Sequence, residues 1–125
     1  MDYKIDAICV GGVLWDVIGR TNQSIRRGND VGGIIKRIPG GVAFNIAQNL
    51  VNLKMNPCLL GFLGNDSAGI QLASYCKNLG INTDYIYRSD NFTTDNYVAI
   101  EDSKGVVAAI ADANSLESVG GEILK

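Results

Sequence analysis

The chain is organised around one stretch, Pro39-Gly40-Gly41-Val42-Ala43-Phe44-Asn45-Ile46-Ala47-Gln48-Asn49-Leu50. It predicts a glycine turn that leads directly into an amphipathic helix. Because glycine has no Cβ, the backbone at Gly40 and Gly41 can bend sharply and approach a ligand closely. The first amides of the helix would point back into this turn, where they favour an anion or polarised oxygens. Asn45 lies about one turn into the helix, so its side-chain amide can reach the same place.

The helix after the two glycines is predicted to run to about Leu53. Its apolar residues recur at helical spacing, so we expect them to bury one face: Val42, Ala43, Ile46, Ala47, Leu50, Val51 and Leu53. A Gly-Gly pair before a helix is also common in ordinary tight connections, so the dipeptide alone does not identify a site. The stretch is neither Gly-x-Gly-x-x-Gly nor a phosphate loop, so it lacks the usual sequence motifs for binding dinucleotides and nucleoside triphosphates.

The composition excludes several classes of protein. The 125 residues suffice for one modest domain, and 46% hydrophobic with 19% charged residues is typical of a globular chain. A net charge of −2 without a block of one sign argues against nucleic acid as a partner. No apolar run is long enough to span a bilayer, and the polar residues 1–6 do not form a signal peptide, so we expect no membrane association.

Cysteine and histidine usage limits the chemistry further. Cys9, Cys58 and Cys76 are an odd set, two of them within apolar runs, which predicts buried, reduced thiols in a cytoplasmic protein. The sequence contains no His, so neither a His-based general base nor a Ser-His-Asp triad exists within it. No Cys or His cluster has the spacing of metal ligands, and we assign no metal-binding residue.

Strands alternate with helices along the chain, which predicts an α/β fold with a parallel sheet and right-handed crossovers. We expect strands at residues 5–10, 33–38, 57–64, 83–88, 94–101 and 106–111, and helices at residues 42–53 and 68–79. Residues 20–32 predict a loop, and Asn65-Asp66-Ser67 predicts a helix N-cap. Gly80 should end the second helix, residues 102–105 should form a hairpin turn, and residues 112–125 begin a further helical pattern.

Asp16 follows the first predicted strand, which ends at Gly11-Gly12. A carboxylate just beyond the carboxyl end of a buried strand lies where open α/β sheets place ligand contacts. The same position also suits an aspartate that turns or caps the chain. Position alone therefore leaves both interpretations of Asp16 open.

Three blocks of residues resemble the first signature of the PfkB carbohydrate kinases, the ribokinase-like group. They are Gly40-Gly41-x-x-x-Asn45-x-Ala47-x-x-Leu50, Gly61-Phe62-Leu63-Gly64-Asn65-Asp66-x-x-Gly69 and Leu79-Gly80-Ile81. Within the family, residues 39–50 together with Tyr97-x-Ala99-Ile100 and Ala109-Ile110-Ala111-Asp112 look most like the pseudouridine kinase branch. The resemblance covers most of the chain, from Ile5 to Asp112.

The resemblance implies a Rossmann-like ribokinase fold and an ATP-dependent transfer of phosphate to a hydroxyl of a sugar or nucleoside, such as pseudouridine or a related riboside. Asp16 matches the carboxylate that binds sugar hydroxyls in the family. Gly40, Gly41 and Asn45 match the loop that contacts the sugar. ATP and Mg²⁺ are the expected cofactors of the complete enzyme.

The resemblance also implies a small β lid over the sugar, formed by strands around Ile18, residues 34–38 and residues 97–111. Such a lid would exclude water, which competes with the sugar as phosphate acceptor. We expect a homodimer, if one forms, to associate through these lid strands.

Two departures from the family pattern bear on the identity of the substrate and on activity. Leu14 stands where relatives often carry Asn. The glycine-rich Gly-Ala-Gly-Asp type of motif, which holds the catalytic Asp and the anion hole in the family, has no match, and residues 119–122 (Val-Gly-Gly-Glu) lack its spacing and its Asp. We therefore assign no catalytic residue.

The expected domain is residues 1–125 as the N-terminal, sugar-binding part of a PfkB kinase domain. This part would bind no cofactor alone, and a C-terminal kinase half would be its partner. Two alternatives stay open, namely a non-catalytic module that binds a sugar or another chain, and a remnant of a truncated gene.

Overall fold

The structure, a computed structural model, describes residues 4–125. Eight strands and three helices occupy this described part, in the order β1 (Ala7–Val10), β2 (Leu14–Arg20), β3 (Ile34–Gly40), α1 (Val42–Asn52), β4 (Pro57–Leu60), β5 (Phe62–Gly64), α2 (Ser67–Leu79), β6 (Tyr87–Ser89), β7 (Asn96–Asp102), β8 (Gly105–Asp112) and α3 (Asn114–Ile123). Residues 1–3, part of the polar segment predicted not to be a signal peptide, lie outside the described residues. None of the helices within residues 4–125 has the length and apolar character needed to cross a membrane.

Parallel strands packed against helices confirm the predicted α/β fold. β1 pairs in parallel with β4, and β5 pairs in parallel with β6. α1 contacts β1 and β4, while α2 contacts β5. The hydrophobic core cluster of the domain consists of Cys9, Val13, Trp15, Ala43, Phe44, Ala47, Leu59, Leu63, Leu72, Cys76, Ile81 and Ile86. All three cysteines are buried and free, as their positions predicted.

Four strands form a separate sheet in the order β3-β2-β7-β8, which we call the lid sheet. β2 runs antiparallel to β3 and parallel to β7, and β7 turns back into β8 at the hairpin predicted for residues 102–105. An ion pair of 2.7 Å between Arg20 and Glu101 joins the ends of β2 and β7. The segments predicted as lid strands therefore lie side by side in one sheet.

Most predicted strands agree with the structure to within two residues at each end, but two of them differ more. The strand predicted for residues 57–64 is divided at Gly61, where the chain passes so close to Gly11 that a Cβ would lie 2.5 Å from the Gly11 carbonyl oxygen. The strand predicted for residues 83–88 is limited to Tyr87–Ser89. It starts late because residues 83–86 form a turn, in which the Ile86 amide donates to the Thr83 carbonyl at 3.2 Å.

The predicted buried face of α1 is partly wrong. Ala43 and Ala47 are buried as expected, but Val42, Ile46 and Leu53 are 74%, 50% and 70% exposed. Phe44, which the predicted stripe omitted, is 1% exposed instead. Burying this large aromatic ring removes more apolar surface from water than burying Val42, so the helix turns its Phe44 side to the core.

Asp66 caps α2 and connects it to the segment before β7. Its carboxylate accepts hydrogen bonds from the amide of Gly69 at 2.8 Å, the amide of Thr94 at 2.9 Å and the Thr94 hydroxyl at 2.6 Å. Burial raises the pKa of the Asp66 carboxyl, but the hydrogen bonds from Thr94 and Gly69 outweigh burial and bring the pKa below its ordinary value. The predicted N-cap is confirmed, as is the C-terminal Gly80 with φ of 93°.

We expect Asp66→Ala to lower the free energy of unfolding by roughly 1–2 kcal/mol, because α2 loses its N-cap and Thr94 loses its acceptor. Since folding lowers the pKa of Asp66, its contribution is complete above the ordinary carboxyl pKa and is lost as pH falls through the lowered value. Urea titrations of parent and variant, repeated from neutral to acid pH, should show a difference that shrinks at low pH. Asp30→Ala, in an exposed loop, is the control. An equal loss of stability in this control would contradict the role of Asp66 as the cap of α2.

Candidate functional site

The carboxylate of Asp16 lies against the backbone of Gly40. Asp16 in β2 pairs with Ile38 in β3, and two residues away Leu14 pairs with Gly40. A Cβ built on Gly40 would overlap the carboxylate, with the Asp16 Cγ only 2.6 Å away. Position 40 therefore accommodates only glycine beside this carboxylate, and the structure brings two of the four predicted site residues into contact.

Gly41 joins the start of α1 to the turn after β1. Its φ of 97° lies in the region that favours glycine, and an added Cβ would lie 2.6 Å from the Gly12 carbonyl carbon. The Gly12 carbonyl oxygen also accepts a hydrogen bond from the Phe44 amide at 3.2 Å. The glycine at position 41 thus permits a close backbone contact with Gly12. This contact was not predicted, because nothing in the local sequence pattern indicates that positions 12 and 41 meet.

Asn45 lies in the first turn of α1, beside the two glycines. Its backbone amide donates to the Gly41 carbonyl at 2.9 Å, whereas its side chain is exposed. No side chain caps α1 within the described chain, but the Phe44 amide already donates to the Gly12 carbonyl and the Asn45 amide to the Gly41 carbonyl. The start of the helix therefore offers a hydroxyl oxygen or an anion at most the amides of Val42 and Ala43.

Among residues 4–125, burial is the influence that acts on the charge of Asp16. It raises the pKa of the half-buried carboxyl, and within this part of the chain no hydrogen bond or positive charge acts in the opposite direction. Asp66 differs, since three donors surround it and lower its pKa. Asp66 is therefore a structural cap, whereas the oxygens of Asp16 remain available to a ligand.

A cavity of about 530 Å³ lies along the same side of the lid sheet. Cross-strand pairing places Asp16 opposite Ile38 and Ile18 opposite Lys36, so these four side chains share one face. The hydroxyl of Thr21 donates to the Gly32 carbonyl at 2.8 Å and folds the loop back over this face. The residues that line the cavity are Ile18, Arg20, Thr21, Asn22, Gln23, Gly32, Gly33, Ile34, Lys36 and Ile38.

Sequence reasoning treated residues 20–32 only as a polar loop and missed this cavity. The alternation Asp16, Ile18, Arg20 along one strand carries the signal, because side chains two apart point to the same face. The partner residues on β3 could be found only once the pairing register was known.

The described residues do not fit a metal ion. Residues 4–125 contain no group of three or more His, Cys, Asp or Glu side chains that could hold one. Residues 119–122, the sequence nearest to the family's glycine-rich motif, lie within α3.

Comparison with known proteins identifies the class to which this fold and site belong. The pfkB family of carbohydrate kinases matches residues 4–119, most of the chain. The chain therefore belongs to the pfkB family. It is 31% identical to pseudouridine kinase of Escherichia coli (strain K12) over 125 residues, which is 99% of this chain and 40% of that protein.

Solved structures agree with the family assignment. The crystal structure of one protein from Clostridium perfringens matches 99% of this chain, and the match covers 39% of that protein's own chain. Its TM-score is 0.85 and its sequence identity is 30%. The structure of Arabidopsis thaliana ribokinase complexed with ribose and ATP matches 84% of this chain, and the match covers 35% of the ribokinase chain. The TM-score is 0.72 and the sequence identity is 22%. The predicted ribokinase-like fold is confirmed, and the chain spans about two fifths of the E. coli relative.

We expect Gly41→Ala to lower the free energy of unfolding by roughly 1–3 kcal/mol, because an L-residue is strained at this positive φ and its Cβ meets the Gly12 backbone. Urea denaturation measures the loss. Gly121→Ala in α3 is the matched control, since its Cβ enters open space in a helix and should leave stability unchanged or slightly higher. Equal losses of stability in the two variants would show that the backbone at position 41 does not require glycine.

Proposed function

We propose that this chain is the sugar-binding part of an ATP-dependent kinase that phosphorylates a hydroxyl of pseudouridine or a related riboside. The observation that supports this most is the carboxylate of Asp16, half-buried against Gly40 with no compensating group among the residues that the structure describes. A carboxylate of this kind accepts two hydrogen bonds from adjacent hydroxyls of a sugar. Membership of the pfkB family supports the reaction class.

The substrate is proposed to be a riboside because the cavity offers more room than a pentose needs. Ile38 pairs with Asp16 and also lines the cavity, so a ribose held at Asp16 would direct its base along the lid sheet. Ile18 and Ile38 offer apolar contacts to a flat ring, while Lys36 and Asn22 offer donors to ring carbonyls. The name of the E. coli relative, pseudouridine kinase, agrees with this substrate.

Each site residue then has a distinct role. Asp16 accepts hydrogen bonds from two sugar hydroxyls, and Asn45 contributes an exposed amide from the first turn of α1. Gly40 leaves room for the carboxylate, and Gly41 sets the direction in which the helix begins. The lid sheet covers the sugar and excludes water as a competing phosphate acceptor.

The whole protein is proposed to include a C-terminal kinase half that supplies the catalytic Asp, the anion hole, and the sites of ATP and Mg²⁺. Bound Mg²⁺ would neutralise charge on the transferred phosphate. Residues 1–125 would form the N-terminal sugar-binding part, and the lid sheet would serve as the surface of a homodimer. Three free, buried thiols support a reducing compartment, and we propose the cytoplasm.

One observation favours a second candidate function, a sugar-binding module without catalysis. The described residues hold no cluster of acidic side chains suited to a metal ion, although the site at Asp16 is formed. Under this alternative the chain binds a riboside and ATP has no effect. Both candidate functions use the same sugar site, so they are distinguished by an assay of phosphate transfer.

We expect Asp16→Asn to weaken pseudouridine binding roughly tenfold to 150-fold, because a charge-assisted hydrogen bond is lost while the side-chain shape is retained. Calorimetry with pseudouridine and with ribose measures the two dissociation constants. Asp30→Asn in the exposed loop is the matched control and should bind like the parent.

The pH dependence of binding tests the same assignment. Folding raises the pKa of Asp16, so protonation begins above the ordinary carboxyl pKa, and affinity should fall as pH drops through the raised value. The Asp16→Asn variant should lose this dependence. Equal affinity of parent and variant across the pH range would refute the role of Asp16.

We expect the 125-residue chain alone to show no phosphorylation of pseudouridine or ribose with ATP and Mg²⁺. Phosphate transfer needs a base and positioned positive charge around the phosphate, and no described side chain is assigned to either role. Adding the C-terminal part of a pfkB kinase in trans should restore turnover, measured as labelled phosphate on the sugar. Turnover by the chain alone would show that the active site is misplaced.

A further inference from the structure

Trp15 anchors the lid sheet to α2 on the side opposite the candidate sugar site. Its indole Nε1 donates to the Ala68 carbonyl at 2.9 Å, and the side chain is only 7% exposed. Trp15 and Asp16 are consecutive residues of β2, so they point to opposite faces of the lid sheet. The anchor therefore acts on the strand that carries the candidate sugar-binding carboxylate.

Arg37 adds a second connection between the same two elements. Its guanidinium carbon lies 4.1 Å from the centroid of the Trp15 ring, and its Nη2 donates to the side-chain oxygen of Gln71. Ala68 and Gln71 are three residues apart in α2, so they lie on one side of the helix. Arg37 thus bridges the ring of Trp15 and the surface of α2.

The strand register transmits this contact to the candidate site. Arg37 pairs with Val17, and the next pair along the ladder joins Asp16 to Ile38. Because side chains alternate, the face that carries Trp15 and Arg37 packs on α2 while the opposite face carries Asp16 and Ile38. The tilt of the lid sheet on α2 therefore sets where the Asp16 carboxylate lies relative to the start of α1.

We propose that Arg37 and Gln71 are positioning residues, which form a latch that holds the lid sheet on α2 and so fixes Asp16 for sugar binding. The inference rests on the proposed function for its ligand. Arg37 and Gln71 are exposed, so their contact is weak and reversible, whereas the Trp15 anchor is buried.

The latch is tested in the 125-residue chain with pseudouridine as probe. We expect Arg37→Ala to raise the dissociation constant roughly threefold to tenfold, since one cation–π contact and one hydrogen bond are lost. Gln71→Glu should keep or improve affinity, because Arg37 then meets a carboxylate. The double variant Arg37→Ala/Gln71→Glu should bind like Arg37→Ala alone, and Arg27→Ala, in the exposed loop, is the matched control.

Fluorescence gives a readout that does not depend on the ligand. Trp15 is the single tryptophan of the chain, so its emission reports directly on the latch. Arg37→Ala should shift the emission to longer wavelength and increase quenching by acrylamide, because the ring loses its cover. Gln71→Ala breaks the latch from the α2 side and serves if Arg37→Ala does not fold.

The outcomes separate the two proposals. If the parent binds pseudouridine and the latch variants bind equally well, the positioning role is overturned, even where the emission changes. If the parent binds neither pseudouridine nor ribose, the proposed function fails, and the latch loses its role in binding with it. Weaker binding by Arg37→Ala and Gln71→Ala supports the latch, provided that Gln71→Glu binds at least as tightly as the parent and Arg27→Ala binds like the parent.

Discussion

The backbone contact between Gly12 and Gly41 is the constraint on which the candidate site depends. It brings the turn after β1 against the residue that precedes α1, and a Cβ at position 41 would lie 2.6 Å from the Gly12 carbonyl carbon. β2 begins two residues after Gly12, and β3 ends immediately before Gly41. Two of the four connections between the lid sheet and the rest of the fold, from β1 to β2 and from β3 to α1, therefore pass through this contact. The position of Asp16, close to the start of β2, follows from it.

Features encoded in short segments could be predicted from the sequence. The Asp66 cap, the αL glycine at position 80 and the hairpin at residues 102–105 depend on neighbours within a few residues, and the structure confirms them. The buried face of α1 was predicted correctly only in part, because overlapping apolar stripes give the same period and only packing decides between Val42 and Phe44. The late start of β6 has a similar cause, since its apolar alternation continues through a turn.

The candidate site was predicted only in part. Resemblance to the family placed Asp16, Gly40, Gly41 and Asn45 together, and the structure brings them to one end of α1. The contact of Gly12 with Gly41, the cavity beside Lys36 and the packing of Trp15 on α2 were not predicted. Each joins residues from different elements, and a single sequence contains no signal of such pairing without the strand register.

The parallel pairing of β2 with β7 joins distant parts of the chain, since the Arg20 and Glu101 side chains that bond across it are 81 residues apart. Contacts of such high sequence separation form slowly, because a long loop must close before they contribute. During synthesis, β2 has no β7 to pair with until residues 96–102 have been made, so the β2–β3 hairpin lacks this neighbouring strand for most of that time. The contact of Asp16 with Gly40 lies within the hairpin, whereas the four-stranded sheet that supports it is complete only once residues 105–112 follow.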